Sequence, residues 1–281
     1  MAKYMDFSGK TVFVAGGTSG INLGVAEGFA RHGAKVAVLS RNQDKVNAAV
    51  EKLKTHGQDA AGFSADVRDA EAVANALADA ASALGKFDVL ISGAAGNFPA
   101  PALGLSSNGF KAVMDIDVLG SFHVLRFGHQ HLNAPGASVI NISAPQSYVP
   151  MEMQLHVCAA KAGVDMLTRV LAIEWGRDGI RVNSIVPGPI EGTEGMERLA
   201  PSPEAMARAA EAVPLARLGT TEDIANAAMF LSSPLATYIS GIVMPVDGGW
   251  SLSGAGLNTR ALAEALREKA AGQQATGQQV R

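Results

Sequence analysis

The chain is short of cysteine, charge and long apolar runs, and each shortage excludes a class of protein. One cysteine, Cys158, among 281 residues excludes an internal disulfide and suits a reducing compartment. Lys and Arg number 23 against 26 Asp and Glu, and only 17% of residues are charged, so no basic field exists to hold nucleic acid or an anionic membrane. No apolar run approaches the roughly 18 residues of a membrane span. The opening MAKYMDFSGK lacks the apolar stretch and cleavage pattern of a signal peptide, and the closing Gln-Val-Arg is no peroxisomal address. These absences predict a cytoplasmic protein with no nucleic-acid or membrane partner. His32, His56, His123, His129 and His131 are scattered without metal-ligand grouping, and His129 and His131 stand two apart in a helical stretch, where they cannot share a ligand. No metal is expected.

What the chain does have is 48% hydrophobic residues, enough for a large core, laid out in short apolar runs alternating with amphipathic stretches. Thr11–Ala15, Lys35–Leu39, Val89–Ser92, Ser138–Ile142 and Arg181–Val186 read as buried strands, with Gly241–Val246 as a closing strand. Between them, Gly20–Arg31, Gln43–Thr55, Ala70–Leu84, Ser107–Gln130 and Met153–Trp175 read as helices. This alternation predicts an α/β fold, a doubly wound parallel sheet in one Rossmann-type domain over residues 1–256. The run from Pro187 through Arg198 to Ala212, turn residues and then a small amphipathic helix, reads as a lid. Residues 257–281 read as a helical, then Gln- and Gly-rich extension with little to bury. Truncation after Gly272 is therefore expected to leave melting temperature and activity nearly unchanged. A large loss of either would mean that the tail docks on a subunit or covers the site.

Gly16-Gly17-Thr18-Ser19-Gly20-Ile21-Asn22 follows the first strand and opens a helix. Glycines there let the backbone turn tightly and approach a pyrophosphate, whose charge meets the helix N-terminus. Gly16, Thr18, Ser19, Gly20 and Ile21 are thus candidate dinucleotide contacts. The second strand ends Leu39-Ser40-Arg41. An acidic residue there would bind a ribose 2′-hydroxyl; Ser40 and Arg41 suit a 2′-phosphate instead, which points to NADP(H), although Arg41 also fits a solvated loop arginine. Asp66-Val67, at the next strand end, fits a cap over the adenine edge. Asp66 could alternatively cap the Ala70 helix, a role Asp69 fills better.

Gly16-xxx-Gly20, Asp66, Ala94-Ala95-Gly96, Lys161 and Pro187-Gly188 stand in the order and spacing of short-chain dehydrogenases/reductases, which the chain resembles over roughly residues 8–252. Within that family, Ala94-Ala95-Gly96-Asn97-Phe98, Val113-Met114-Asp115-Ile116-Asp117, His156 with Ala159-Ala160-Lys161, and the long Pro187–Gly195 run resemble peroxisomal-type 2,4-dienoyl-CoA reductases. The departures matter as much. The family's third cradle glycine is Asn22, its catalytic tyrosine is Val157, its serine is Ala144, and its asparagine is Asp117. Mitochondrial-type dienoyl-CoA reductases carry a displaced tyrosine at a position that is Gln146 here.

Valine cannot protonate an alkoxide, so ordinary ketone reduction should be crippled. Reduction of a conjugated dienoyl thioester differs, because hydride adds far from the carbonyl and charge spreads to the thioester oxygen. Fixed donors can stabilise that oxygen while a carbon takes its proton from water. The resemblance implies an NADPH-dependent oxidoreductase acting on CH–CH bonds of 2,4-dienoyl-CoA in fatty-acid degradation. It gives Lys161 the nicotinamide ribose and Asp117 the protonating water, and adds Ala94, Ala95, Gly96, Pro187, Gly188, Ile190 and Thr193 as cofactor contacts. For the acyl-CoA it implies Arg41, Arg68, Phe98 and Arg198, with Ser106-Ser107-Asn108 at the rim, and a homotetramer. Asp117 as a purely structural partner of a bulged helix, the arginines as ordinary surface charge, Tyr148 as a displaced acid, and a catalytically silent NADP(H)-binding module remain as alternatives.

Overall fold

Val12, Phe13, Val14 and Ala15 are all fully buried, and their strand, β1 (Thr11–Ala15), lies third in a seven-stranded sheet. The structure, a computed structural model, describes residues 5–252 apart from the side chains of residues 198 and 199. The other strands are β2 (Lys35–Ser40), β3 (Ala60–Ser64), β4 (Val89–Ser92), β5 (Ser138–Ile142), β6 (Arg181–Pro187) and β7 (Val243–Val246). Their order is β3-β2-β1-β4-β5-β6-β7, and every pairing is parallel. Val12 pairs with Val36 on one side and Val89 on the other, so β1 is flanked by β2 and β4 and the chain reverses direction across the sheet there. A crevice opens at such a switch point, beyond the carboxyl ends of the strands, and in α/β sheets it is where ligands bind.

Alternation along β1 divides the core into two layers. Val12 and Val14 pack with Phe29, Val36, Ile140, Ile185 and Met229 on one face, while Phe13 and Ala15 join Leu39, Leu77, Leu90, Val139 and Val182 on the other. Helices α1 (Gly20–Arg31), α2 (Gln43–Lys54) and α9 (Thr221–Ser232) cover the first face; α3 (Ala70–Leu84), α5 (Gly120–Gly128) and α6 (Leu155–Trp175) cover the second. The remaining helices are α4 (Ser107–Met114), α7 (Glu194–Leu199) and α8 (Pro203–Glu211).

Helices α1 and α9 touch through a glycine. A Cβ on Gly24 would stand 2.3 Å from the Thr221 Cβ, closer than packed atoms tolerate. Gly24→Ala is expected to lower unfolding stability by about 1–3 kcal/mol through overpacking. A denaturation midpoint equal to that of the parent protein would show that the helices separate without penalty.

The structure corrects several sequence boundaries. The segment 107–130 is not one helix: α4 ends at Met114, a π turn spans Asp115–Leu119, and α5 follows. Helix α6 starts at Leu155 rather than Met153, because Met153 has φ 64° and cannot continue a right-handed helix. The lid contains two short helices, α7 and α8, in place of one. Strand β3 lacked a clear apolar run, since Ala60–Ser64 is half-buried and carries one large apolar side chain, Phe63. The extension 257–281 lies outside the described residues. Among the described residues, no helix is long and apolar enough to cross a membrane, and no group of three or more His, Cys, Asp or Glu side chains could hold a metal ion.

Candidate active site

A cleft of about 1250 Å³ opens at the β1/β4 switch point. Gly16, Thr18, Ser19, Gly20 and Ile21 form its floor, and Gly16 turns there with φ 77°. A Cβ on Gly16 would stand 2.9 Å from the Ala94 backbone nitrogen, so the cradle abuts the chain leaving β4. Asn22 fixes this approach by donating its amide to the Gly93 carbonyl at 2.7 Å. Most helix starts in the fold are closed by a side chain: Asn42 caps α2, Asp69 caps α3, Ser106 caps α4 and Thr220 caps α9. Helix α1 differs, because Ser19 at its N-cap makes no side-chain cap bond and no acidic residue stands in its first turn. Its leading N–H groups and the positive end of its dipole are left to face the cleft, the donor set that suits a pyrophosphate.

Ser40, Arg41, Asp66 and Val67 border the cleft at the ends of β2 and β3. Hydrogen bonds from Arg68, above all, hold the Asp66 carboxyl below the ordinary carboxylate range, so it is an acceptor and suits an amino-group edge. That pairing also relocates Arg68. Its Nε and Nη2 donate to Asp66 at 2.9 and 2.6 Å, and it does not reach the cleft. Asp69, by contrast, is the cap of α3, accepting from Glu71 and Ala72.

The centre of the cleft is set by the π turn. Its extra residue per turn lets Gly120 N–H reach the Asp115 carbonyl, and Gly120 fits against Val67, where a Cβ would stand 2.6 Å from the Val67 Cγ2. Asp117 lies within this turn with its side chain wholly buried. Its Oδ1 accepts the Gly96 N–H at 2.7 Å and its Oδ2 lies 3.2 Å from the Lys161 Nζ. Lys161, 8% exposed at its side chain, also donates to the Ile142 carbonyl at 3.2 Å. Asp117 therefore joins the bulged helix to the β4 loop and is at once the ion partner of Lys161. Val157 and Ala144 border the same space and offer no polar atom, while Ser143 borders it with a buried hydroxyl.

Ala94, Ala95, Gly96, Pro187, Gly188, Ile190 and Thr193 all border the cleft. Thr193 donates to the Ile190 carbonyl and caps α7. Phe98, Ser106 and Asn108 do not border it. Ser106 is spent on capping α4 by accepting the Gly109 N–H, and the Phe98 ring stands edge-on to the buried His156 ring at 4.5 Å. The Arg198 side chain lies outside the described residues. Tyr148 is half exposed, does not border the cleft and donates its hydroxyl to the Ser251 Oγ at 3.3 Å. Lys45, Met151, Met196, Arg208 and Trp250 also border the cleft, although the sequence did not single them out. Only Lys45 carried a signal, as the first-turn lysine of the helix after Arg41; the other four arrive from loops and the lid.

A family model described as Enoyl-(Acyl carrier protein) reductase matches residues 15–251. The peroxisomal 2,4-dienoyl-CoA reductase [(3E)-enoyl-CoA-producing] of Rattus norvegicus is 46% identical over 243 residues, covering 85% of this chain and 83% of its own length. The Arabidopsis thaliana protein of the same name is 43% identical, covering 87% and 85%. Among solved structures, a short chain dehydrogenase from Bacillus anthracis superposes with TM-score 0.78 at 36% identity over 86% of this chain and 96% of its own. A 7α-hydroxysteroid dehydrogenase complexed with NADH superposes with TM-score 0.83 at 29% identity over 89% and 97%. The family model spans most of the chain, as do these relatives, and the chain belongs to the short-chain dehydrogenase/reductase family.

Proposed function

We propose that this protein reduces a 2,4-dienoyl-CoA thioester at the expense of NADPH. One observation carries the reading: the buried Asp117–Lys161 pair occupies a cleft in which Val157 stands at the position of the proton donor used for carbonyl reduction. The uncapped start of α1 and the glycine cradle fit a dinucleotide, which supplies hydride when bound. The chain's own residues do the rest. The Lys161 ammonium has three N–H donors; the Ile142 carbonyl takes one, Asp117 Oδ2 stands 3.2 Å away as its ion partner, and a donor remains to hold a ribose hydroxyl. The Asp117 carboxylate retains lone pairs beyond those used by Gly96 and Lys161, and these orient the water that protonates the substrate carbon. Apolar Val157 and Ala144 keep a competing phenol and hydroxyl away from the thioester. A carbonyl reductase relying on Tyr148 is disfavoured by that residue's place outside the cleft. The test is consumption of NADPH absorbance with a dienoyl-CoA and with a panel of ketones. Oxidation with ketones alone would overturn the reading, and oxidation with neither would favour a silent binding module.

The choice of NADPH rests on Ser40 and Arg41 in place of an acidic residue, with Lys45 beside them. The unmutated protein is expected to bind NADPH more tightly than NADH, and Arg41→Ala to erase most of that preference, a change of roughly 10-fold for one guanidinium–phosphate contact. Equal dissociation constants in the parent protein would refute the assignment. We further propose a cytoplasmic homotetramer. The reducing compartment is supported by the single cysteine, and the assembly by exposed Leu155, Met166, Val170 and Ile173 on α6 beside Leu119 and Phe122.

A further inference from the structure

Among the described residues four cations border the cleft, and three of them have work already. Arg41 and Lys45 stand at the adenosine end of the cradle, and Lys161 is buried against Asp117. The fourth, Arg208, is exposed on α8 and makes no ion pair among the described residues. Ala205, Arg208 and Ala209 are the residues of α8 that border the cleft, and their i, i+3, i+4 spacing makes them one face of the helix. That face is two methyl groups and one guanidinium.

The lid around Arg208 has the wrong sign for its task. Residues 191–211 hold five glutamates, Glu191, Glu194, Glu197, Glu204 and Glu211, against two arginines. A lid of that charge repels polyphosphate ligands unless a cation faces inward. It is also fastened at both ends. At its start, Thr193 lies over Gly20 of the cradle, where a Cβ would stand 3.7 Å from the Thr193 Cγ2. At its far end, the Leu215 N–H donates to the Gly248 carbonyl. Arg208 thus borders the cleft from α8, whereas the start of α1, Arg41 after β2 and Lys45 on α2 border it from other elements.

We propose that Arg208 binds a phosphate of the coenzyme A moiety and so specifies the thioester carrier. This rests on the acyl-CoA reading above. On that reading the cofactor pyrophosphate takes the start of α1 and the 2′-phosphate takes Arg41 and Lys45, which leaves Arg208, among the described side chains that border the cleft, for the second polyphosphate ligand. Arg208 positions the carrier and takes no part in the reacting atoms.

The experiment uses the NADPH-loaded full chain. Calorimetric titration with free coenzyme A reads binding without turnover, and Arg208→Ala is expected to weaken it roughly 5-fold, with Arg208→Lys recovering part of the loss. In turnover, the ratio of kcat/KM for a dienoyl-CoA to that for the matching dienoyl-N-acetylcysteamine thioester, which carries no phosphate, is expected to fall by about the same factor. Unchanged coenzyme A binding and an unchanged ratio would overturn the proposal. A weakened NADPH dissociation constant with coenzyme A binding intact would overturn it too, assigning the phosphate to the cofactor. If the parent protein binds coenzyme A through Arg208 yet reduces neither thioester, the dienoyl reading fails while this one stands.

Discussion

Lys161→Ala is expected to weaken NADPH binding and to lower kcat by on the order of 10²-fold or more. The two losses belong together, because the ammonium that holds the ribose is also tied to the Ile142 carbonyl and to Asp117. The substitution carries a third cost. The Asp117 side chain has no solvent exposure, and without its partner it is a lone buried charge, a situation that typically costs about 3–5 kcal/mol of stability. Thermal melting with and without NADPH separates these effects. A variant with reduced stability but the parent kcat at saturating NADPH would show that Lys161 is a structural ion partner and nothing more.

Asp117→Ala is expected to have the opposite profile: NADPH affinity almost untouched, and kcat lower by on the order of 10²-fold for one positioned proton-transfer group. Alanine also deletes the acceptor for the Gly96 N–H, so the companion variant is Asp117→Asn, which keeps that hydrogen bond and removes the carboxylate. If both variants lose turnover and Asp117→Asn melts close to the parent, the loss is chemical. Tyr148→Phe serves as the control, since its hydroxyl meets Ser251 outside the cleft. Turnover abolished by Tyr148→Phe and retained by Asp117→Asn would make the phenol the acid and overturn the assignment. Val157→Tyr probes the same point in reverse, and a gain of ketone reduction would mean that the valine alone set the substrate class.

The repeating elements were legible in the sequence, because buried parallel strands are continuous apolar runs and the covering helices keep one apolar face. Strand β3 was the exception, being half-buried and built largely of Ala, Gly and Ser. Cradle residues were legible for a related reason: they are local in sequence, and backbone geometry dictates their type. Asp117 and Lys161 were nameable only through a resemblance, since they lie 44 positions apart by number and nothing in spacing brings them together. The π turn was foreshadowed only by the bulged helix that the resemblance attaches to Asp117, since Asp115–Leu119 itself carries a helical pattern. Arg68 is held by a neighbour that the sequence reading did not pair with it: its side chain donates to Asp66, two residues away. Arg208 and Trp250 come to the cleft from the lid and from the loop after β7, placements that long-range packing decides.

The π turn also holds the one residue of this stretch that the two flanking helices could do without. It holds one residue more than an α-helical turn would, so shortening Asp115–Leu119 by a single position would let α4 run straight into α5. Five residues of a π turn wind about as far around the axis as four residues of an α-helix, so α5 would keep its facing relative to α4 and the stretch would lose only its bulge. Val124 and Leu125 would stay packed in the core beside α3, whereas a deletion inside α5 would turn every side chain after it by about 100°. A one-residue deletion scan across 107–128 should therefore be better tolerated within the turn, at positions other than Asp117, than in the middle of α5.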